Sequence, residues 1–256
     1  ALVMAGEGAK VVANDSLREA ADRVVQEISN AGGAAAASFD GVATLSGGDS
    51  IIKTAINRFG RIDVLVNCAG CAQTKQNSEL TEGDWESIVL AYLKGHFSCT
   101  QAAMPHMIGQ KSGSVINLSS HDAFFNDKIA YASAQAGVLG FTAGYSITSK
   151  PHNVTVNAII VKASNELSRD KDREDGGFIP DSEGSDVDPV AAVAAYLATD
   201  EAKSITGQYI YAAGKDICLY SPPTTMTADN VFVRLPTVWT SNDVRQILTP
   251  MLAAKH

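Results

Sequence analysis

The sequence predicts a doubly wound α/β fold, a parallel sheet held between two layers of helices. Three observations predict it. Short apolar runs, too continuous for one-sided strands, alternate with longer segments whose apolar residues recur every three or four positions. The two kinds follow one another strand, helix, strand along most of the chain, which is the spacing that right-handed crossovers between parallel strands require. The 256 residues, 45% hydrophobic and 19% charged, suit one sizeable core and fall short of two ordinary enzyme domains.

Each element follows from local pattern. Residues 1–8 read as the end of a helix, closed by Gly6 and Gly8, and 9–14 (AKVVAN) as a buried strand bounded by Asp15. From Ser16 the residues Leu17, Ala20, Ala21, Val24, Val25 and Ile28 trace a half-buried helix that Gly32 and Gly33 stop. A strand over 34–39, a helix over 49–58 and a strand over 62–66 (IDVLV) continue the alternation. Then come a long helix over 85–107, a strand over 114–118, a helix over 131–148 and a strand over 154–159. The polar stretch 164–188, with Gly176 and Gly177, reads as a long lid-like loop. A helix over 189–198 and a strand over 208–212 complete a domain spanning 1–220. Residues 221–256 form an extension with Trp239 and a short helix near 243–252, read either as an arm to an adjacent protomer or as cover for its own subunit.

Charge and cysteine usage exclude several function classes. Twenty basic against 28 acidic residues give a net charge of −8, which repels phosphate backbones and anionic lipid surfaces, so nucleic acid and membrane are not expected partners. No run approaches the roughly 20 apolar residues of a membrane span, and no segment resembles a signal peptide, which makes the cytoplasm the expected compartment. Cys68 and Cys71 form a Cys-Ala-Gly-Cys pair, but zinc needs about four ligands and no second cluster follows. The histidines show no ligand pattern, so no metal is assigned; His121 and Asp122 are given a supporting or surface role beside Ser120.

The segments FGRIDVLVNCAG, GSVINLSS, YASAQAGVLGFTAG, VTVNAI and SITGQYIYAAGKD, in that order and spacing, resemble the short-chain dehydrogenase/reductase family up to about Tyr220. That resemblance implies a dinucleotide crevice beyond the carboxyl ends of the strands and a nicotinamide-dependent interconversion of alcohol and carbonyl. It also implies a catalytic tyrosine at Tyr131 and a substrate-orienting serine at Ser120, though their spacing is short. The family's lysine, four residues after the tyrosine, lowers the phenol pKa and holds the nicotinamide ribose; Gln135 stands at that place. A phenol titrates near 10, and moving it by three units takes roughly 4 kcal/mol, which a neutral amide does not supply. Tyr131 is therefore expected to stay a neutral phenol. Tyr92, in Ala91-Tyr92-Leu93-Lys94-Gly95, replaces the family's helix asparagine, and Val161-Lys162 replaces the proline-glycine beside the nicotinamide, with Lys162 the one cation offered in exchange.

The opening strand and its glycine-rich turn, whose amides would face a pyrophosphate, have no counterpart in this sequence. Either that unit precedes Ala1 or another chain segment fills its place. Asp15, Asp40, Asn67 and Gly70 match positions where the family contacts adenosine and ribose, and are read as remnants of cofactor binding. The association helices implied by the resemblance keep apolar faces, with Ile88, Tyr92, Phe97 and Met104 on one and Val138, Phe141 and Tyr145 on the other. These readings together imply a catalytically inactive structural or regulatory subunit without bound cofactor. It would be paired in a heterotetramer with a homologous active subunit that carries NAD and oxidises a hydroxyacyl-CoA. Two alternatives are an active NAD-dependent alcohol dehydrogenase and a regulator that binds a dinucleotide or CoA ester.

Overall fold

The computed structural model describes residues 1–71, 73–125, 127–161, 188–213 and 216–220. The lid-like loop, Lys162 and the extension over 221–256 lie outside the described residues.

The chain opens with α1 (Leu2–Gly6), β1 (Val11–Asn14), α2 (Arg18–Asn30) and β2 (Ala35–Ser38). Next come α3 (Leu45–Phe59) and β3 (Val64–Asn67). A rod follows, made of α4 (Glu82–Val89), a wide π turn (Leu90–Lys94) and α5 (Gly95–Gln110). β4 (Gly113–Ser120), the short α6 (Asp122–Phe125), α7 (Ile129–Ser149) and β5 (Val154–Val161) lead to α8 (Asp188–Leu197), β6 (Tyr209–Ala213) and β7 (Asp216–Tyr220). Strands β3-β4-β5-β6-β7 form one sheet in that order, parallel except for the antiparallel β7, and β1 pairs with β2 in a parallel ribbon.

Both helix layers run across the break between ribbon and sheet: α1 packs on α2 and α8, while α3 packs on β1, β2 and α5. The break separates the β1-β2 ribbon from the five-stranded sheet. It leaves one edge of β1 and one edge of β3 without a strand partner among the described residues. The central strands are buried on both faces, as their uninterrupted apolar runs require. Val115 and Val156 face Ile51, Ile52, Ala103 and Met107 on one side, and Ile116 and Ile159 face Val193, Leu197 and Ile210 on the other. Among the described residues no helix is long and apolar enough to cross a membrane.

Four differences from the sequence pattern have local causes. Helix α3 starts at Leu45 rather than 49, because the Thr44 hydroxyl accepts the Gly47 N–H at 3.0 Å and caps it, so that Gly47 and Gly48 lie in its first turn. The long helix begins at Glu82, where Thr81 and Asp84 form a capping box, and it is interrupted by the π turn, which periodicity did not reveal. The short α6 and the edge strand β7 were not anticipated; each is a brief element flanked by breakers.

Gly48 shows how closely α3 and α5 approach. A Cβ there would lie 2.6 Å from the carbonyl carbon and oxygen of Ser98, a backbone obstacle that cannot rotate away. Gly48→Ala is expected to lower stability by about 1–3 kcal/mol, measured as a reduced midpoint in urea unfolding with an unchanged slope.

Candidate functional site

The site forms at the carboxyl ends of β3, β4 and β5, where α7 begins. Its frame is a buried chain of side-chain hydrogen bonds. Asn67 at the end of β3 donates to Asn117 on β4 at 2.9 Å and to Thr100 on α5 at 3.1 Å, and Asn117 donates to Thr142 on α7 at 2.9 Å. Ser119 adds a bond to the Gln135 carbonyl at 3.0 Å. These contacts fix α7 against the strand ends that carry the polar groups.

Ser120 closes β4 and Tyr131 lies in the first turn of α7. Despite their short spacing their side chains hydrogen-bond, because α6 folds the intervening residues compactly; the Asp122 N–H also donates to the Ser120 hydroxyl at 3.1 Å. Burial pushes the Tyr131 pKa up, the hydrogen bonds from Ser120 and Gln135 pull it back in part, and the nearby Asp122 raises it again. None of these groups is cationic. Gln135, one turn along α7, is 3% exposed, and its side-chain oxygen has no hydrogen-bond partner among the described residues.

Tyr92 enters from the π turn. Its ring stands edge-on to Tyr131, centroids 5.3 Å apart, and its hydroxyl donates to the Cys71 carbonyl at 2.9 Å. Burial, ahead of the neighbouring Tyr131 and Cys71, drives its pKa upward, so it too is a neutral phenol. The ring covers Gly70 so closely that a Cβ there would fall 2.1 Å from Tyr92 Cε1.

The carboxylates that the resemblance places at cofactor positions are engaged within the chain. Asp15 accepts the Leu17 N–H at 2.8 Å, and Asp40 accepts from Ser50 at 2.8 Å and from Ser38 at 3.3 Å. The Asp40 carbonyl takes the Asn14 amide at 3.1 Å. His121 is buried rather than superficial, its Nδ1 lying 3.2 Å from the Tyr220 hydroxyl. Cys68 and Cys71 are free thiols, and no group of three or more metal-ligating side chains occurs among the described residues.

Sequence reasoning passed over Asn117, Gln73 and Asn77, and gave Thr142 and His96 no place in the site. A polar residue inside the apolar run SVINL was a usable signal for Asn117; polar residues in a loop gave none for Gln73 and Asn77.

A model for the short chain dehydrogenase family matches residues 1–170. The chain belongs to the short-chain dehydrogenase/reductase family. Among its relatives, the peroxisomal multifunctional enzyme type 2 of Drosophila melanogaster is 35% identical over 83% of the chain, which spans only 36% of that longer protein. Subunit BbsD of the hydroxy(phenyl)methylsuccinyl-CoA dehydrogenase of Thauera aromatica is 33% identical over 84% of this chain and 89% of its own. A short chain dehydrogenase from Mycobacterium avium superposes with a TM-score of 0.85 at 27% identity, covering 99% of this chain and 89% of that one.

His96, behind Tyr92 on α5, supplies a pH dependence. It is 2% exposed with Nδ1 2.6 Å from the Tyr92 carbonyl, and burial pulls its pKa down to about 4, which the carbonyls of Tyr92 and Leu118 offset only in part. Unfolded, it titrates near 6.5, so the unfolded chain binds the extra proton first and stability falls as pH drops through that window. Between pH 7 and 4.5 this group costs about 2 kcal/mol. Urea unfolding at the two pH values is expected to show that loss, and His96→Gln to shrink it.

Proposed function

We propose that this chain is a non-catalytic structural or regulatory subunit of a hetero-oligomeric, NAD-dependent hydroxyacyl-CoA dehydrogenase, paired with an active homologue. The observation that carries the proposal is the environment of Tyr131. It is a half-buried phenol whose pKa is raised, and a neutral glutamine stands one turn away where the family places a lysine. The Ser120–Tyr131 contact persists, yet positioning alone does not make a phenol transfer a proton near pH 7.

The arrangement also fits poorly with a nicotinamide dinucleotide held by this chain. Tyr92 lies against Gly70, and the carboxylates of Asp15 and Asp40 already accept hydrogen bonds from their own neighbours. We therefore assign NAD, and the hydride chemistry it supplies, to the partner subunit. Support for a thioester substrate comes from the BbsD relative, whose name specifies a CoA ester. Within this reading the setting we favour is that of toluene degradation, in a cytoplasmic heterotetramer, with this chain as the inactive subunit of such a dehydrogenase. Partly exposed apolar residues on the rod and on α7, Phe97 at 38% and Ile147 at 74%, are surfaces that a second subunit can cover.

The test is direct. The full chain, purified alone, is expected to give no NAD reduction with 3-hydroxyacyl-CoA esters, to co-purify with an active homologue when the two are expressed together, and to leave that complex's rate within twofold when Tyr131 becomes phenylalanine. Turnover by the isolated chain that disappears in Tyr131→Phe overturns the proposal and establishes an active dehydrogenase instead. Micromolar NAD or CoA-ester binding by the isolated chain, without turnover or association, replaces it with a ligand-sensing role.

A further inference from the structure

Helix α7 carries Tyr131 in its first turn, yet no side chain of its own caps it: the N-cap residue is Lys128, which makes no capping bond. The N–H groups of a first helical turn have no acceptor within the helix. Here two of them are satisfied from a distant loop. The Ile129 N–H donates to Asn77 Oδ1 at 3.1 Å, and the Tyr131 N–H donates to Gln73 Oε1 at 3.2 Å.

The two amides are locked together. Gln73, 4% exposed, uses its Nε2 to donate to the Lys75 carbonyl and to Asn77 Oδ1, both at 3.2 Å, so its side chain is bonded at both ends. Asn77 Nδ2 donates onward to the Asp127 carbonyl. The same loop is tied to α4 through Lys75 and Asp84 at 2.6 Å and ends in the Thr81–Asp84 capping box. Beneath it, the Tyr92 hydroxyl holds the Cys71 carbonyl, and Cys71, Leu80, Ile88, Tyr92, Tyr131 and Ala134 form one apolar cluster. The loop therefore joins the amino end of α4 to the amino end of α7, with the Tyr92–Tyr131 ring pair in the cluster it packs on.

We propose that residues 73–81 form a latch in which Gln73 and Asn77 are positioning residues: they supply in trans the caps that α7 lacks, fix Tyr131 against Ser120, and keep access to that pair closed. Opening the latch strips two first-turn N–H groups of their acceptors and separates the loop from the ring pair, so closure and the placement of Tyr131 are one event. The inference does not depend on whether the chain is catalytic, since an active or an inactive pair would be gated alike.

Cys71 reports on the latch. It is half-buried, with Sγ 3.8 Å from the Ser87 carbonyl, and burial raises its pKa. In the full chain with Cys68 and Cys218 changed to serine, iodoacetamide is expected to alkylate Cys71 at least tenfold faster after Gln73→Ala or Asn77→Ala, the ratio that corresponds to about 1.4 kcal/mol. Asn77→Asp keeps an oxygen for the Ile129 N–H at a helix N-terminus that favours negative charge, and is expected to stay within twofold of the parent. Equal rates in all variants, or a rate in Asn77→Asp as high as in Asn77→Ala, overturn the proposal. Should the alanine variants fail to fold, amide exchange in the parent decides: the Ile129 and Tyr131 N–H groups are expected to be protected at least a hundredfold over unstructured backbone, and free exchange at both refutes the latch.

Discussion

The buried chain Asn67–Asn117–Thr142 is the constraint on which the rest of the structure depends. It joins two strands and α7, with Thr100 extending it to α5, at depths where Asn117 and Thr142 are both fully buried. A buried amide left unpaired costs about 1–3 kcal/mol, so the members hold one another in place more firmly than apolar packing alone would. Their positions in turn set the pairing of Asn67 with Asn117 across β3 and β4 and the seating of α7 against the strand ends. A slip of β4 by one residue would turn Asn117 toward the opposite face, dissolving the chain and exchanging Val115 for Ile116 between the two cores.

With that frame intact, the electrostatics of the site follow from the groups around Tyr131. Ser120, Asp122 and Gln135 bear on the phenol, and none of the three is a cation. The two neighbouring phenols, Tyr92 and Tyr131, each lie in surroundings that disfavour their ionised forms, and Tyr131 adds to the cost of ionising Tyr92. Gln135 is buried at this point of α7, and its carbonyl accepts the Ser119 hydroxyl at 3.0 Å.

The sheet was legible in the sequence because strands buried on both faces leave continuous apolar runs, and VTVNAI and SVINL have no other economical reading. The order of elements followed from it, whereas Ser120, Tyr131, Gln135 and Tyr92 were singled out only by the family resemblance, with the short spacing of Ser120 and Tyr131 leaving their contact open. Boundaries were less legible where side-chain caps override composition, as Thr44 does for a helix that opens through Gly47 and Gly48. The π turn was hidden because the apolar residues on either side of it are too few to show a one-residue change of phase. Gln73 and Asn77 were illegible for a different reason: their partners are about 50 residues away, and nothing in a polar loop announces which amide will find a distant helix end.

The wide turn at Leu90–Lys94 has an effect beyond seating Tyr92. One residue added to a helical turn rotates everything downstream by about 100° relative to everything upstream. The rod can therefore aim one apolar stripe, with Ile88, toward α7, and then aim the next, with Cys99, Ala103 and Met107, toward α3 and the sheet. Loss or gain of a single codon in this stretch would swing one stripe out of phase with its neighbour. The segment is thus intolerant of length variation even at positions where many side chains would fit.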